Sequence, residues 1–196
     1  MTFEKFCWLL ETSKLYHPRI DQFNDPFEGA VTFAYAKMRD ADAIKPYFSV
    51  KEYEPWNFKL ARFHQFATCW HAADYESDAL WQLYAPGGAG VAIISSIERI
   101  EKSVDLTPYQ YGLLGEVEYV DFETHDMRRR PFPTVIRPGH LKRKSFEYEK
   151  EVRGIISTQL ITDGSAFTMD VAFLEKQNRE QPKGIAPDVD LTILIH

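Results

Sequence analysis

The chain has 196 residues, 44% of them hydrophobic and 27% charged, with a formal net charge of −6. That length suits one domain burying roughly 70% of its unfolded surface, and the balance argues against disorder and against a strongly basic nucleic-acid binder. No apolar run approaches the ~20 residues of a membrane span, no basic-then-apolar leader opens the chain, and Cys7 and Cys69 are too few for a disulfide scaffold or thiolate zinc site.

No repeat or linker divides the sequence, so 1–196 reads as a single domain of a cytoplasmic protein without a membrane partner. Residues 3–10 carry Phe3, Phe6, Cys7, Leu9 and Leu10 at helical spacing behind Thr2, a good N-cap. Residues 15–17 read as a short strand stopped by Pro18, 21–29 as a turn-rich loop, and 30–37 as helix or strand. Residues 39–62 are polar and irregular, with Pro46 and Pro55 opposing a long helix. Then come a buried strand at 66–70, a helix at 78–84 with Leu80, Trp81 and Tyr84 on one face, and a Val/Ile-rich strand at 90–95. A short helix at 97–104 and an alternating strand at 116–122 follow, then a basic, proline-punctuated loop at 128–140. Strands at 149–156 and 190–195 and a helix at 171–177 complete the chain. Without a strict βαβ rhythm, this interleaving predicts an α+β fold with a mixed, mostly antiparallel sheet flanked by short helices.

Three fragments can carry chemistry. In Phe23-Asn24-Asp25-Pro26-Phe27-Glu28-Gly29, Asn24 and Asp25 favour side-chain turns, Pro26 fixes φ, Gly29 permits positive φ, and the two Phe rings pin the loop to the core. Asp25 and Glu28 are then either acid/base groups, metal ligands and ribose acceptors, or helix caps; the fragment alone favours the structural turn. On a strand, Cys69 and His71 share a face, but nothing marks a third residue to orient the imidazole, which favours a buried cysteine and a surface histidine. Trp81 and Tyr84, three apart, read as core ahead of a stacking platform, and the Gly87-Gly88 turn precedes a strand, unlike a phosphate loop.

The third fragment is Phe146-Glu147-Tyr148-Glu149-Lys150-Glu151-Val152-Arg153. On a strand, Glu149, Glu151 and Arg153 share one face, suited to a ribose and an electron-poor sugar carbon; on a helix, Glu149 merely pairs with Arg153 at i, i+4. The six histidines lack zinc spacing. Arg128, Arg129, Arg130, Arg137, Lys142, Arg143 and Lys144 form the local patch that can meet phosphates of a nucleotide or nucleic acid, or a solvated basic loop.

The order of Leu15-Tyr16, Arg19, the Asn24-to-Gly29 loop, Cys69-Trp70, residues 80–84 and 90–93, and Phe146…Glu149-x-Glu151-x-Arg153 resembles a bacterial family catalogued as domain of unknown function 2971. The match runs from about residue 5 to 195. Family members usually begin upstream of Met1 and continue past a strand like 190–195, so the resemblance implies a version shortened at both ends. It also implies a prokaryotic cytoplasmic protein and convergence of Asp25, Glu28, Glu149, Glu151 and Arg153 on one site, with no assigned activity.

Three functions follow as expectations. The first is an enzyme acting on a nucleotide or nucleic acid, as in ADP-ribosyl transfer from NAD. Glu149 and Glu151 would be catalytic, and Arg19, Asn24, Asp25, Glu28, Trp81, Tyr84 and Arg153 would bind substrate; the last carboxylate would stabilise an oxocarbenium-like transition state. The second is a metal-dependent nuclease using Asp25, Glu28 and Glu149. The third is a non-catalytic ligand-sensing or interaction module of a defence or toxin system. Carboxylates opening onto a cleft favour an enzyme; carboxylates bound by buried arginine favour a scaffold.

Overall fold

In the computed structural model, which describes residues 1–41, 62–109, 111–127, 137–158, 176 and 179–195, a three-stranded antiparallel sheet organises the chain. Helix α1 (Phe3–Thr12) starts at Thr2, whose side chain accepts from the Lys5 amide, and ends at Ser13 in the left-handed conformation. Strand β1 (His17–Pro18) runs through Pro18 rather than stopping before it, and α2 (Phe33–Ala41) resolves the helix-or-strand ambiguity as helix. Strand β2 (Gln65–His71) is followed by helices α3 (Asp78–Tyr84) and α4 (Ile97–Ser103). Strands β3 (Tyr111–Glu116), β4 (Glu118–Val120), β5 (Leu141–Arg143), β6 (Glu151–Ser157) and β7 (Gly184–Ile185) precede the last helix, α5 (Leu191–Leu194).

The fold is α+β, but its strands divide among three small sheets: β2-β6-β3 and β1-β7, both antiparallel, and β4-β5, parallel. Strand β6 is central, with Cys69 opposite Arg153 on β2 and Gly115 opposite Arg153 on β3. Side chains alternate across a sheet, so Cys69, Glu151, Arg153 and Ile155 share one face. On that face Ile20, Ala67 and Ile155 pack with Phe23. The helical face packs Leu9, Leu15, Ile100, Val189 and Leu194 with Trp70 and Leu114, bringing α1, α4 and α5 onto the sheet. A third cluster, Tyr35, Val120, Phe122, Met127 and Leu141 with Phe27, joins α2 to β4-β5.

Several expectations are corrected. Residues 90–95 form no regular strand: Gly90 makes a single bridge to Thr2, and Val91 exchanges backbone bonds with Met1. The strand expected at 116–122 breaks at Val117, whose amide donates to the Glu151 carbonyl while the chain leaves one sheet for another. The apolar run at 190–195 is helical: the Asp190 carboxylate accepts from the Thr192 amide (2.9 Å) and hydroxyl (2.6 Å) and caps a turn whose Leu194 is fully buried. So short an apolar run has no period to separate strand from helix, so the cap decides. Of the expected helix at 171–177 only Lys176 is described, as helix, and most of 39–62 lies outside the described residues, as do Arg128, Arg129 and Arg130. Among the described residues no helix is long and apolar enough to cross a membrane.

Because Leu194 is 0% exposed within the helical cluster, Leu194→Ala is expected to cost about 2–5 kcal/mol, measured as a lower urea midpoint.

Candidate functional site

The loop at 23–29 is built as its residues suggest. The Phe27 amide donates to the Asp25 carboxylate (3.1 Å), Gly29 adopts φ 67°, and a Cβ there would lie 2.8 Å from the Ile20 side chain. Phe27 joins the α2 cluster and Phe23 the sheet cluster, and so the turn carries Glu28 inward, to 3% exposure.

There Glu28 meets Arg153, which is 0% exposed. The Arg153 Nε donates to Glu151 Oε1 (2.7 Å) and Nη2 to Glu151 Oε2 (2.9 Å). Nη1 donates to Glu28 Oε2 (2.8 Å) and the Gly139 carbonyl (2.6 Å), and Nη2 to Glu28 Oε1 (3.4 Å). A guanidinium has five N–H donors, and these five bonds match them. Phe23 lies against the cation, its centroid 5.4 Å from the Arg153 Cζ. Gly139 is held so close that a Cβ would come within 2.9 Å of Gln65 Oε1.

Lys142, from β5, is the second buried cation. Its ammonium donates to Glu149 Oε2 (2.5 Å) and Glu151 Oε2 (3.2 Å) and lies 3.4 Å from Glu28 Oε1. Phe146 flanks it at 4.9 Å. Three carboxyl groups thus meet two cationic side chains out of water. Burial opposes the charge on each cation, but the carboxylates outweigh it and hold both Lys142 and Arg153 above their ordinary range. Burial likewise raises the Glu151 carboxyl, and Arg153, foremost among its partners, reverses that and holds it below the usual value.

Glu149 reaches the cluster by a route different from the one expected. It ends a 3-10 turn, Lys144–Glu149, and Lys150 then adopts φ 41° before β6 begins at Glu151. Glu149 therefore lies off the strand, and neither the strand alternation nor the Glu149–Arg153 helix pair occurs. Among the described residues only one Glu149 oxygen, Oε2, takes a hydrogen bond; Oε1 is unpaired and is not sealed in the interior, although the residue is 7% exposed. By contrast, both oxygens of Glu28 and Glu151 face cations.

Cys69 borders the cluster through Glu151, and Tyr84 lies within reach of the Glu149 charge. Cys69, expected in the interior, presents open surface, while crowding around its sulfur and its bond to Glu151 keep the thiol well above its ordinary pKa. A protonated thiol beside a carboxylate is a donor, not a nucleophile. No residue of α3 is buried, so the core reading of Trp81 and Tyr84 is also corrected. Tyr84 is 53% exposed, and burial of its phenol, followed by the nearby Glu149 charge, pushes it up to about 12. Trp81 Nε1 donates to Glu76 (3.2 Å), and with Gln82, Gly87 and Gly88 it lines an open cavity of about 430 Å³. His71 is tied through Nδ1 to the Glu149 carbonyl (2.6 Å), away from any thiol–imidazole pair.

The remaining candidates separate from this cluster. Arg19 is buried but forks onto Asp21 and donates to the Arg179 and Gln181 carbonyls. Asn24 is exposed, and Asp25 is clasped by Arg143 through Nε (3.2 Å) and Nη2 (3.0 Å). Of the basic patch, Lys142 is therefore an interior counter-ion, Arg143 is paired between Phe27 and Phe146, and Lys144 remains exposed. Sequence reasoning missed Lys142 as a member of the site; its signal was the surplus of carboxylates over arginine, hidden within a basic run. It also missed His140, whose ring bonds the Arg153 carbonyl (3.2 Å) beneath Gly115.

Among the described residues no group of three or more His, Cys, Asp or Glu is arranged to hold a metal ion. Comparison with protein-family models, curated proteins and solved structures gave no match.

Arg153→Met is expected to cost about 3–5 kcal/mol by stranding carboxylates in the interior, read from denaturant unfolding; a loss near 0.5 kcal/mol would show that the cluster does not hold the fold. Burial lowers both His17 and His140 to about 4 from 6.5. Between those values the unfolded chain binds more protons, so stability falls as pH drops from 6.5 to 4, with about two protons taken up on unfolding. Glu151 adds a further loss as pH falls below its unfolded pKa and through its lowered folded value. Urea midpoints across this range, repeated with His140→Gln, measure both contributions.

Proposed function

We propose that the chain is an enzyme acting on a nucleotide, of the ADP-ribosyl-transfer type with NAD as donor, and that Glu149 is its working carboxylate. The observation that carries this reading is the Glu149 oxygen, Oε1, that takes no hydrogen bond among the described residues, in a carboxylate held by Lys142 at the edge of the ion cluster and near the Tyr84 phenol. A fixed carboxylate oxygen accepts from a ribose hydroxyl and stabilises positive charge growing at the sugar carbon as nicotinamide leaves. Glu28, Glu151, Lys142 and Arg153 hold that oxygen in place and touch no substrate. Trp81, three residues before Tyr84, offers an indole face to a base, with open volume beside the Gly87-Gly88 turn. Arg19 has no part in this arrangement, and Glu151 gives up the catalytic role that its place in the sequence suggests.

A second reading rests on its own observation. Glu28 and Glu151 have both oxygens engaged by buried cations, as expected of a non-catalytic ligand-sensing or interaction module. The resemblance to the bacterial family agrees with either reading and with a cytoplasmic setting.

Nicotinamide release from NAD by the purified protein separates them. The enzyme reading expects turnover that falls by about a hundredfold or more in Glu149→Gln, assayed well below the variant's own thermal midpoint. Absence of turnover in the wild type, or equal turnover in the variant, leaves the module reading.

A further inference from the structure

The helical face of the main sheet carries an unexplained space. Adjacent rows there place Thr68, Gly154 and Leu114 side by side, and Phe66, Ile156 and Gly112 next to them. Two glycines and a threonine leave the middle of this face without bulky side chains, where a close-packed interior would carry them. Leu106 leans over Gly112, 2.7 Å from where a Cβ would stand, but does not fill the gap. A pocket of about 260 Å³ remains between the sheet and α4, walled by Ile100, Leu106, Leu114 and Ile156 and open to solvent beside the exposed Glu101 and Leu113.

Two residues with polar side chains, His17 and Thr68, are among its lining. His17 lines the cavity and is 2% exposed. Its Nδ1 lies 2.8 Å from the Leu15 carbonyl. A carbonyl only accepts, so Nδ1 carries the proton and Nε2 presents a bare lone pair. Among the described residues neither His17 Nε2 nor the Thr68 hydroxyl takes a hydrogen bond, and neither is sealed in the interior. Burial lowers the imidazole to about 4, so it stays a neutral acceptor through the physiological range. Glu101 stands among the cavity residues as well and is exposed, which disfavours an anionic ligand.

We propose that this cavity is a binding site for a small, neutral, largely apolar molecule bearing one hydroxyl, which donates to His17 Nε2 with the Thr68 hydroxyl alongside. A closed apolar cavity of about 150 Å³ already takes benzene, so this larger, open pocket has room for a substituted ring. The lone acceptor selects a hydroxyl over a methyl of the same shape, because a buried acceptor left unpaired is costly. The site lies on the opposite sheet face from Glu149 and does not depend on the NAD reading.

The test uses p-cresol and p-xylene, which match in shape and differ in one hydroxyl, titrated calorimetrically into the full chain. The expected result is p-cresol binding, with p-xylene about tenfold or more weaker. Thr68→Ile, which puts a methyl in place of the hydroxyl and adds a methylene to the cavity, is expected to abolish both while the thermal midpoint holds or rises. His17→Gln, which keeps an acceptor oxygen, is expected to retain the preference if it folds. No p-cresol binding at millimolar concentration overturns the proposal, as do equal affinity for the two probes or binding unchanged in Thr68→Ile. Nicotinamide release measured on the same variants keeps failure of this site distinct from failure of the NAD reading.

Discussion

A fully buried guanidinium must find an acceptor for each of its five N–H groups, and most of the site is arranged to supply them to Arg153. Glu151 serves from the same strand, Glu28 from a loop more than a hundred residues earlier, and Gly139 through its carbonyl. The requirement holds the Asp25–Glu28 turn against the sheet, draws in the Gly139 carbonyl, and leaves a carboxylate surplus that Lys142 answers from β5. Removing one partner exposes the rest to a dielectric that tolerates no lone charge, so the members stand or fall together.

Such a cluster is weak evidence for stability in itself, since apolar residues of equal volume often do as well. Its geometric effect is the more informative one. The interior carboxylates are saturated, while the Glu149 side chain is anchored by a single 2.5 Å bond to Lys142 and its other oxygen takes no hydrogen bond among the described residues. The aromatic rings belong to the same device: Phe23, Phe27 and Phe146 lie 4.8–5.4 Å from the cationic centres of Arg153, Arg143 and Lys142, limiting how far those side chains can move.

Much of this could be read from the sequence because it is local. Thr2 before an amphipathic run gave α1, and Asp25-Pro26 with Gly29 gave the turn. Glu151 and Arg153 share a strand face because alternation is a property of any strand. What escaped depends on distant partners. Glu149 left the strand because Lys150 adopts positive φ, a choice no periodicity reveals in a lysine. Lys142 looked like part of a solvated basic run, and only the meeting of β5 with β6 and the 23–29 loop makes it interior. In residues 190–195 the four apolar side chains at 191, 193, 194 and 195 fit a strand or a helical turn equally, so their pattern could not separate the two. Trp81 and Tyr84 kept helical spacing, yet Trp81 is only half-buried and Tyr84 is exposed, since amphipathicity says which residues share a side and not what covers it.

The distances along the chain between paired residues have a temporal side. His17 pairs with Ile185, Gln65 with Ser157, and Glu28 with Arg153 across 125 residues. High contact order slows folding, because long loops close before the contacts that compensate for them exist. As the chain leaves the ribosome, the Asp25–Glu28 turn emerges well before β6, and β1 waits for nearly the whole sequence. Until then Glu28 lacks Arg153, its principal counter-ion, and β2 has no central strand to join. The ion cluster therefore assembles as a late, concerted event of synthesis, and an interruption of translation before residue 153 leaves a soluble acidic loop beside an unpaired apolar strand, a species prone to capture by chaperones or by other nascent strands.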